Sequence, residues 1–131
     1  MYVSFVFVFF LSFIMSCVSY LLSISHFCGG SLIAPDVVLT AAHCQGGSYD
    51  IYVNLPKLNS NSGQKMSKKK ELPHPDYDSS VTNNDFMLIF LNNEVNMNGA
   101  SLVRLNANPN VPAVNAQVTV MGFGDTGMYL R

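Results

Sequence analysis

No ten-residue stretch after residue 26 repeats its apolar side chains at helical spacing, so a helical core is ruled out. The chain instead shows short apolar runs broken by turn residues. Residues 31–34 and 37–40 are two such runs, joined by the turn pair Pro35-Asp36. Residues 50–55 carry Ile51, Val53 and Leu55 on one face, the alternation of a half-buried strand. Residues 85–91 contain the unbroken apolar run FMLIFL and predict a buried strand. Between these, Thr40-Ala-Ala-His-Cys44 predicts one helical turn capped by Thr40 and ended by Gly46-Gly47. Residues 57–70 are polar, and Lys68–Lys70 at their end read as a solvated loop or strand edge. Pro73 and Pro75 predict an extended loop. Residues 92–98 hold four asparagines and predict another loop. Residues 102–105 predict a short strand or extended piece, and residues 118–120 a last strand running into Gly122-Phe-Gly124. Many short strands with frequent turns predict an all-β barrel or sandwich. At 131 residues there is room for one domain with a modest core.

Charge is distributed unevenly. Residues 1–35 contain no charged side chain; the first is Asp36, and the first basic residue is Lys57. All 7 basic and 8 acidic side chains therefore lie between Asp36 and Arg131. The net charge of -1 offers no basic face for nucleic acid. In residues 2–25 the only polar side chains are two tyrosines and six serines. An apolar run of that length can span a bilayer, and a shorter apolar block followed by small residues is a signal peptide. Small side chains at Cys17 and Ser19, or at Ser23 and Ser25, suit cleavage after Ser19 or Ser25. The basic flank usual before such a block is missing. Residues 1–25 are thus expected to be a signal peptide or, uncleaved, a signal anchor that ties the chain to a membrane. Residues 26–131 form the expected domain. Either reading sends the chain into the secretory pathway, and a secreted, extracellular location is expected. No N-x-[ST] glycosylation acceptor is present.

Three cysteines, Cys17, Cys28 and Cys44, leave an odd count. Cleavage after Ser19 or Ser25 would remove Cys17 and leave an even pair. Cys28 and Cys44 can then form a disulfide in an oxidising compartment, worth roughly 3 kcal/mol in the chain-entropy model. A zinc site of Cys28, His43 and Cys44 is the alternative. Against it, no C-x-x-C pair is present, and adjacent His43 and Cys44 are expected to diverge. No cofactor is expected. A calcium site near residues 57–71 is not expected either, because Glu71 is the only acidic residue there.

The most informative block is His26-Phe-Cys-Gly-Gly-Ser-Leu-Ile-Ala followed by Val37-Val-Leu-Thr-Ala-Ala-His-Cys44. It resembles the trypsin-like (chymotrypsin-family) serine proteases, for which Cys-Gly-Gly-Ser-Leu-Ile and Leu-Thr-Ala-Ala-His-Cys are highly specific local signatures. His74-Pro-Asp-Tyr77 resembles the loop before that family's second catalytic residue. Asn84-Asp85-Phe-Met-Leu-Ile resembles the strand carrying it, Gly122-Phe-Gly124 the stretch leaving the first barrel, and residues 20–25 the family's first core strand. The resemblance covers about residues 20–127. It implies the first six-stranded antiparallel Greek-key barrel of the fold, with the second barrel missing. It also implies a His-Asp-Ser triad in which His43 is the general base and Asp85 orients it. Elementary chemistry agrees: histidine titrates near neutrality, and an aspartate opening an apolar strand needs a hydrogen-bond donor. The Cys28–Cys44 bridge would pin the histidine turn. His26 is expected on a strand surface, and His74 in a loop with no catalytic part.

The sequence departs from the family pattern in two ways. The Gly-Asp-Ser-Gly-Gly nucleophile motif, the oxyanion hole and the specificity pocket are absent. The serines at 48, 60, 62, 67, 79, 80 and 101 all lack the flanking glycines. No Lys or Arg precedes residue 57, so the family's usual activation cut is not expected. Three readings compete. One is the first half of a secreted serine endopeptidase acting on protein or peptide substrates once a second barrel completes it. Another is an inactive secreted barrel that binds a protein partner. The last is the same barrel tethered by residues 2–25.

Overall fold

The computed structural model describes residues 15–20, 25–57 and 62–119. Six strands follow one another: β1 Met15–Tyr20, β2 Ser25–Ala34, β3 Val37–Thr40, β4 Tyr49–Val53, β5 Gln64–Pro73 and β6 Met87–Leu91. A single 3-10 turn, Ala42–Cys44, lies between β3 and β4. Around the closed barrel the order is β1-β2-β3-β6-β5-β4, and every pairing is antiparallel. β1 to β3 form a meander, and β4 returns to lie beside β1, which is the Greek-key arrangement. Closure leaves no strand edge open, the surest protection against edge-to-edge association.

The core follows the pleat. On β4 the side chains of Tyr49, Ile51 and Val53 point inward, and on β6 those of Met87, Ile89 and Leu91 do. Leu32 and Val38 join Ile51, Val53, Met87 and Ile89 as the largest fully buried side chains. Each such side chain contributes about 1.5–3 kcal/mol on burial. The run FMLIFL is therefore not buried on both faces as its composition predicts. Leu88 and Phe90 face outward and are half-buried. Leu88 pairs with Leu39 of β3 on one side and Leu72 of β5 on the other, making an outer apolar row.

Several local expectations change in the structure. Thr40 does not cap the 3-10 turn, whose first flanking residue is Ala41 with no side-chain cap. The Thr40 hydroxyl instead donates to the Gly29 carbonyl at 2.7 Å, tying β3 to β2. Lys68–Lys70, expected in a solvated loop or at a strand edge, lie in the middle of β5, which is paired on both sides. Residues 102–105 form no strand, and Val103 donates its N–H to the Leu32 carbonyl at 2.8 Å. Residues 118–119 form no strand either. Val120, Gly122-Phe-Gly124, residues 1–14 and residues 21–24 lie outside the described residues, as does the side chain of His26 on β2. Among the described residues no helix is long and apolar enough to cross a membrane.

β1 falls inside the segment expected as a leader, yet its backbone pairs with both β2 and β4. Cleavage after Ser19 or Ser25 would remove most or all of β1, whereas a cut before Met15 leaves the barrel whole. A chain starting at Ser25 is accordingly expected to bind an apolar dye and to self-associate more than one starting at Met15; size-exclusion chromatography and dye fluorescence check this. The glycine pair in β2 gives a second test. A Cβ on Gly30 would stand 2.7 Å from Val38 Cγ1 and 3.1 Å from the Leu39 carbonyl oxygen, whereas one on Gly29 meets nothing within 4 Å. Gly30→Ala is expected to destabilise by about 1–3 kcal/mol and Gly29→Ala by much less, measured by urea unfolding.

Candidate active site

His43 is the central residue of the 3-10 turn that follows β3, and Asp85 stands two residues before β6. β3 and β6 are neighbours, with Thr40 opposite Met87. Residues 42 apart in sequence therefore meet at one end of the barrel. The turn itself is closed by Cys44 N–H to Ala41 at 3.2 Å and Gln45 N–H to Ala42 at 3.0 Å. Asp85 is presented by a tight reversal. Asn84 adopts φ 53°, a left-handed conformation that asparagine tolerates. Its side chain donates to the Asp76 carbonyl at 3.0 Å, and its own carbonyl accepts from Phe86 at 2.8 Å.

Asp85 uses both carboxylate oxygens on the same residue. Oδ1 accepts the His43 backbone N–H at 2.8 Å, and Oδ2 lies 2.7 Å from His43 Nδ1. One aspartate thus fixes the main chain and the ring of His43 together. A carboxylate only accepts, so in the neutral imidazole Nδ1 carries the proton and Nε2 the lone pair. The Asp85 side chain keeps 10% of its surface and that of His43 keeps 25%. The carboxylate is shielded while the imidazole retains access to a reactant. Burial by itself would raise the Asp85 pKa. The His43 ring, the His43 N–H and the Ala42 N–H outweigh it and hold the carboxyl below its ordinary value of 3.8.

Cys28 on β2 and Cys44 are joined in a disulfide, with Cα atoms 6.3 Å apart. The residue after His43 is thereby tied to β2. The donor atoms of Cys28, His43 and Cys44 lie within 4.8 Å of one another. Adjacency therefore does not drive His43 and Cys44 apart, contrary to the sequence expectation. The two sulfurs are spent in the disulfide, and a thiolate is what zinc requires.

His74 lies just past β5, outside this group. Its ring rests on Phe86 with centroids 4.5 Å apart, and its Nδ1 accepts the Asp76 N–H at 3.2 Å. Ser80 turns its hydroxyl to Asp78 at 2.7 Å. Sequence reasoning missed three residues around the histidine turn. Glu71 accepts from the Gly46 N–H, the Tyr49 hydroxyl and Lys68. No local signal places Glu71 beside Lys68, because a bulge between Lys68 and Lys70 breaks the alternation that runs through residues 64–68.

The chain is similar to several known proteins. The family model described as Trypsin matches residues 12–129. Mast cell protease 3 of Ovis aries is 33% identical over 107 residues, covering 79% of this chain and 43% of that protein. Trypsin-1 of Gadus morhua is 38% identical over 104 residues, covering 77% of this chain and 42% of that protein. The solved structure of neuropsin, a serine protease expressed in the limbic system of mouse brain, superposes with a TM-score of 0.62 at 29% identity. That match covers 70% of this chain and 42% of neuropsin. The chain spans less than half the length of these relatives.

The depressed Asp85 pKa sets a pH test. A group whose folded pKa is lowered stabilises fully above its unfolded value and loses that contribution as pH falls through the folded value. Asp85→Asn is expected to cost ~2 kcal/mol at pH 7, the loss of charged hydrogen bonds to a mostly buried group. The gap between the two proteins should close as pH drops below 3.8. Urea midpoints across pH 2–7 check it, and a gap that is constant over that range contradicts it.

Proposed function

Because the chain belongs to the trypsin family of serine proteases, we propose that it supplies the general base and its orienting aspartate to a serine-type endopeptidase. His43 takes the proton from a serine hydroxyl as that oxygen attacks the scissile carbonyl, then returns it to the leaving amine. Asp85 holds the ring in the Nδ1–H tautomer and stabilises the imidazolium formed at the attack. The serine, the oxyanion donors and the pocket that reads the substrate side chain come from a second barrel, whose motifs residues 1–131 do not contain. Without them the first barrel does not turn over a peptide bond. The substrate class is protein or peptide, and no cofactor enters the reaction. Secretion fits the Cys28–Cys44 bridge, which persists in oxidising compartments. The observation that carries the reading is the double contact of Asp85 with the His43 ring and main chain.

A non-catalytic secreted barrel that binds a protein partner is the second reading. Its support is the outer apolar row of Leu39, Leu88 and Leu72, with Leu72 45% exposed.

Sequencing the native transcript through both ends, then assaying its product on peptide substrates, separates the two. The protease reading expects an in-frame serine motif downstream of Arg131. It also expects His43→Ala to lower kcat by about 10⁴-fold or more. A stop codon directly after Arg131 in abundant message overturns it in favour of the partner-binding barrel.

A further inference from the structure

Beyond the histidine and aspartate, a second charged group holds the same turn. After Cys44 the chain reverses through Gly46 at φ 95° and Gly47 at φ 69° before entering β4. Two successive glycines at positive φ are the most freely mobile way to build such a reversal, so something must hold it. β5 supplies that hold from two side chains. Both oxygens of Glu71 lie 3.2 Å from the Gly46 nitrogen, and Lys68 Nζ donates to the Gly47 carbonyl at 2.7 Å. Lys68 and Glu71 also pair with each other at 2.9 Å. The buried Tyr49 joins both: its hydroxyl donates to Glu71, and its ring lies 4.0 Å beneath Lys68 Nζ. Glu71 thus holds the Gly46 N–H and Lys68 the Gly47 carbonyl, one side chain at each glycine.

The sequence spacing makes this unexpected. In a regular strand, residues three apart face opposite sides. A bulge between Lys68 and Lys70 resets the alternation, so that Lys68 and Glu71 are both half-buried while Lys69 and Lys70 point to solvent. Re-aiming a side chain is what a bulge does. Burial opposes the Glu71 charge, yet Lys68, Tyr49 and Gly46 together keep its pKa low, so the carboxylate stays ionised.

We propose that Glu71 and Lys68 are positioning residues for His43, acting through the Gly46-Gly47 turn they clamp. His43 is then held on three sides: by Asp85 at its own N–H, by Cys28 through the next residue, and by β5 through the glycine turn. The proposal rests on the reading of His43 and Asp85 as a catalytic pair. It adds that the ring's orientation depends on a charge pair that does not touch it.

The test follows the His43 Nδ1–H proton by NMR in the full chain, through its resonance and its exchange lifetime with water. Asp85→Asn, Glu71→Gln, Lys68→Met and Gly63→Ala are compared with the parent. Glu71→Gln and Lys68→Met remove opposite charges, so a purely through-space effect would move the resonance in opposite directions. A clamp predicts the same change in both: the lifetime shortens by about tenfold, as expected when a charged hydrogen bond is lost. Gly63→Ala, which strains the chain between β4 and β5 at the end of β4 away from the glycine turn, should leave the lifetime unchanged. Opposite shifts, or shortening no greater than in Gly63→Ala, overturn the clamp. If Glu71→Gln does not fold, Lys68→Met alone decides, because Glu71 keeps its contacts to Gly46 and Tyr49 there. A Nδ1–H signal indifferent to Asp85→Asn overturns the catalytic pair instead, which keeps the two failures apart.

Discussion

The pairing of β3 with β6 is the constraint on which the rest depends. It sets Thr40 opposite Met87, and so brings the turn after one strand to the loop before the other. Nothing local links His43 to Asp85. They meet because a Greek-key barrel must close, and closing it puts the third strand against the sixth. The same closure places β5 beside both β4 and β6, within reach of the glycine turn that follows the histidine.

Two carboxylates stand at this end of the barrel, and each is satisfied in the same manner. Asp85 and Glu71 are both partly desolvated, which penalises their charge, and both accept backbone N–H groups as well as side-chain donors. Each therefore ties a main-chain position to a strand far away in sequence. The histidine turn is short and carries no side-chain cap, and these distant groups and the disulfide tie it to the rest of the barrel. An imidazole proposed to move a proton gains from that arrangement. Its orientation is held by several independent contacts, while a quarter of its surface stays open.

The sequence pattern carried the all-β class, the turn at Pro35-Asp36 and the alternation in β4; the cysteine count offered the Cys28–Cys44 pair, and the family resemblance singled out His43 and Asp85. These were legible because each rests on local chemistry: a turn pair, a period of two, or a short motif with specific neighbours. What misled was equally local. The run FMLIFL looks buried on both faces, but its alternate residues line the outside of a single-layer barrel. Lys68–Lys70 look like loop, because three successive lysines hide both a strand and the bulge within it. Thr40 looks like a cap, but a closer acceptor on β2 takes its hydroxyl.

By itself the sequence determined which residue types could do chemistry and that the chain would be built of short strands. It could not determine that Asp85 takes the main chain of His43 as well as its ring. Nor could it show that Glu71 and Lys68 face the same side, or that residues 15–20 complete the barrel wall. Those are decided by register and closure. Both are long-range properties, set when strands distant in sequence satisfy each other's hydrogen bonds, and no local pattern encodes them.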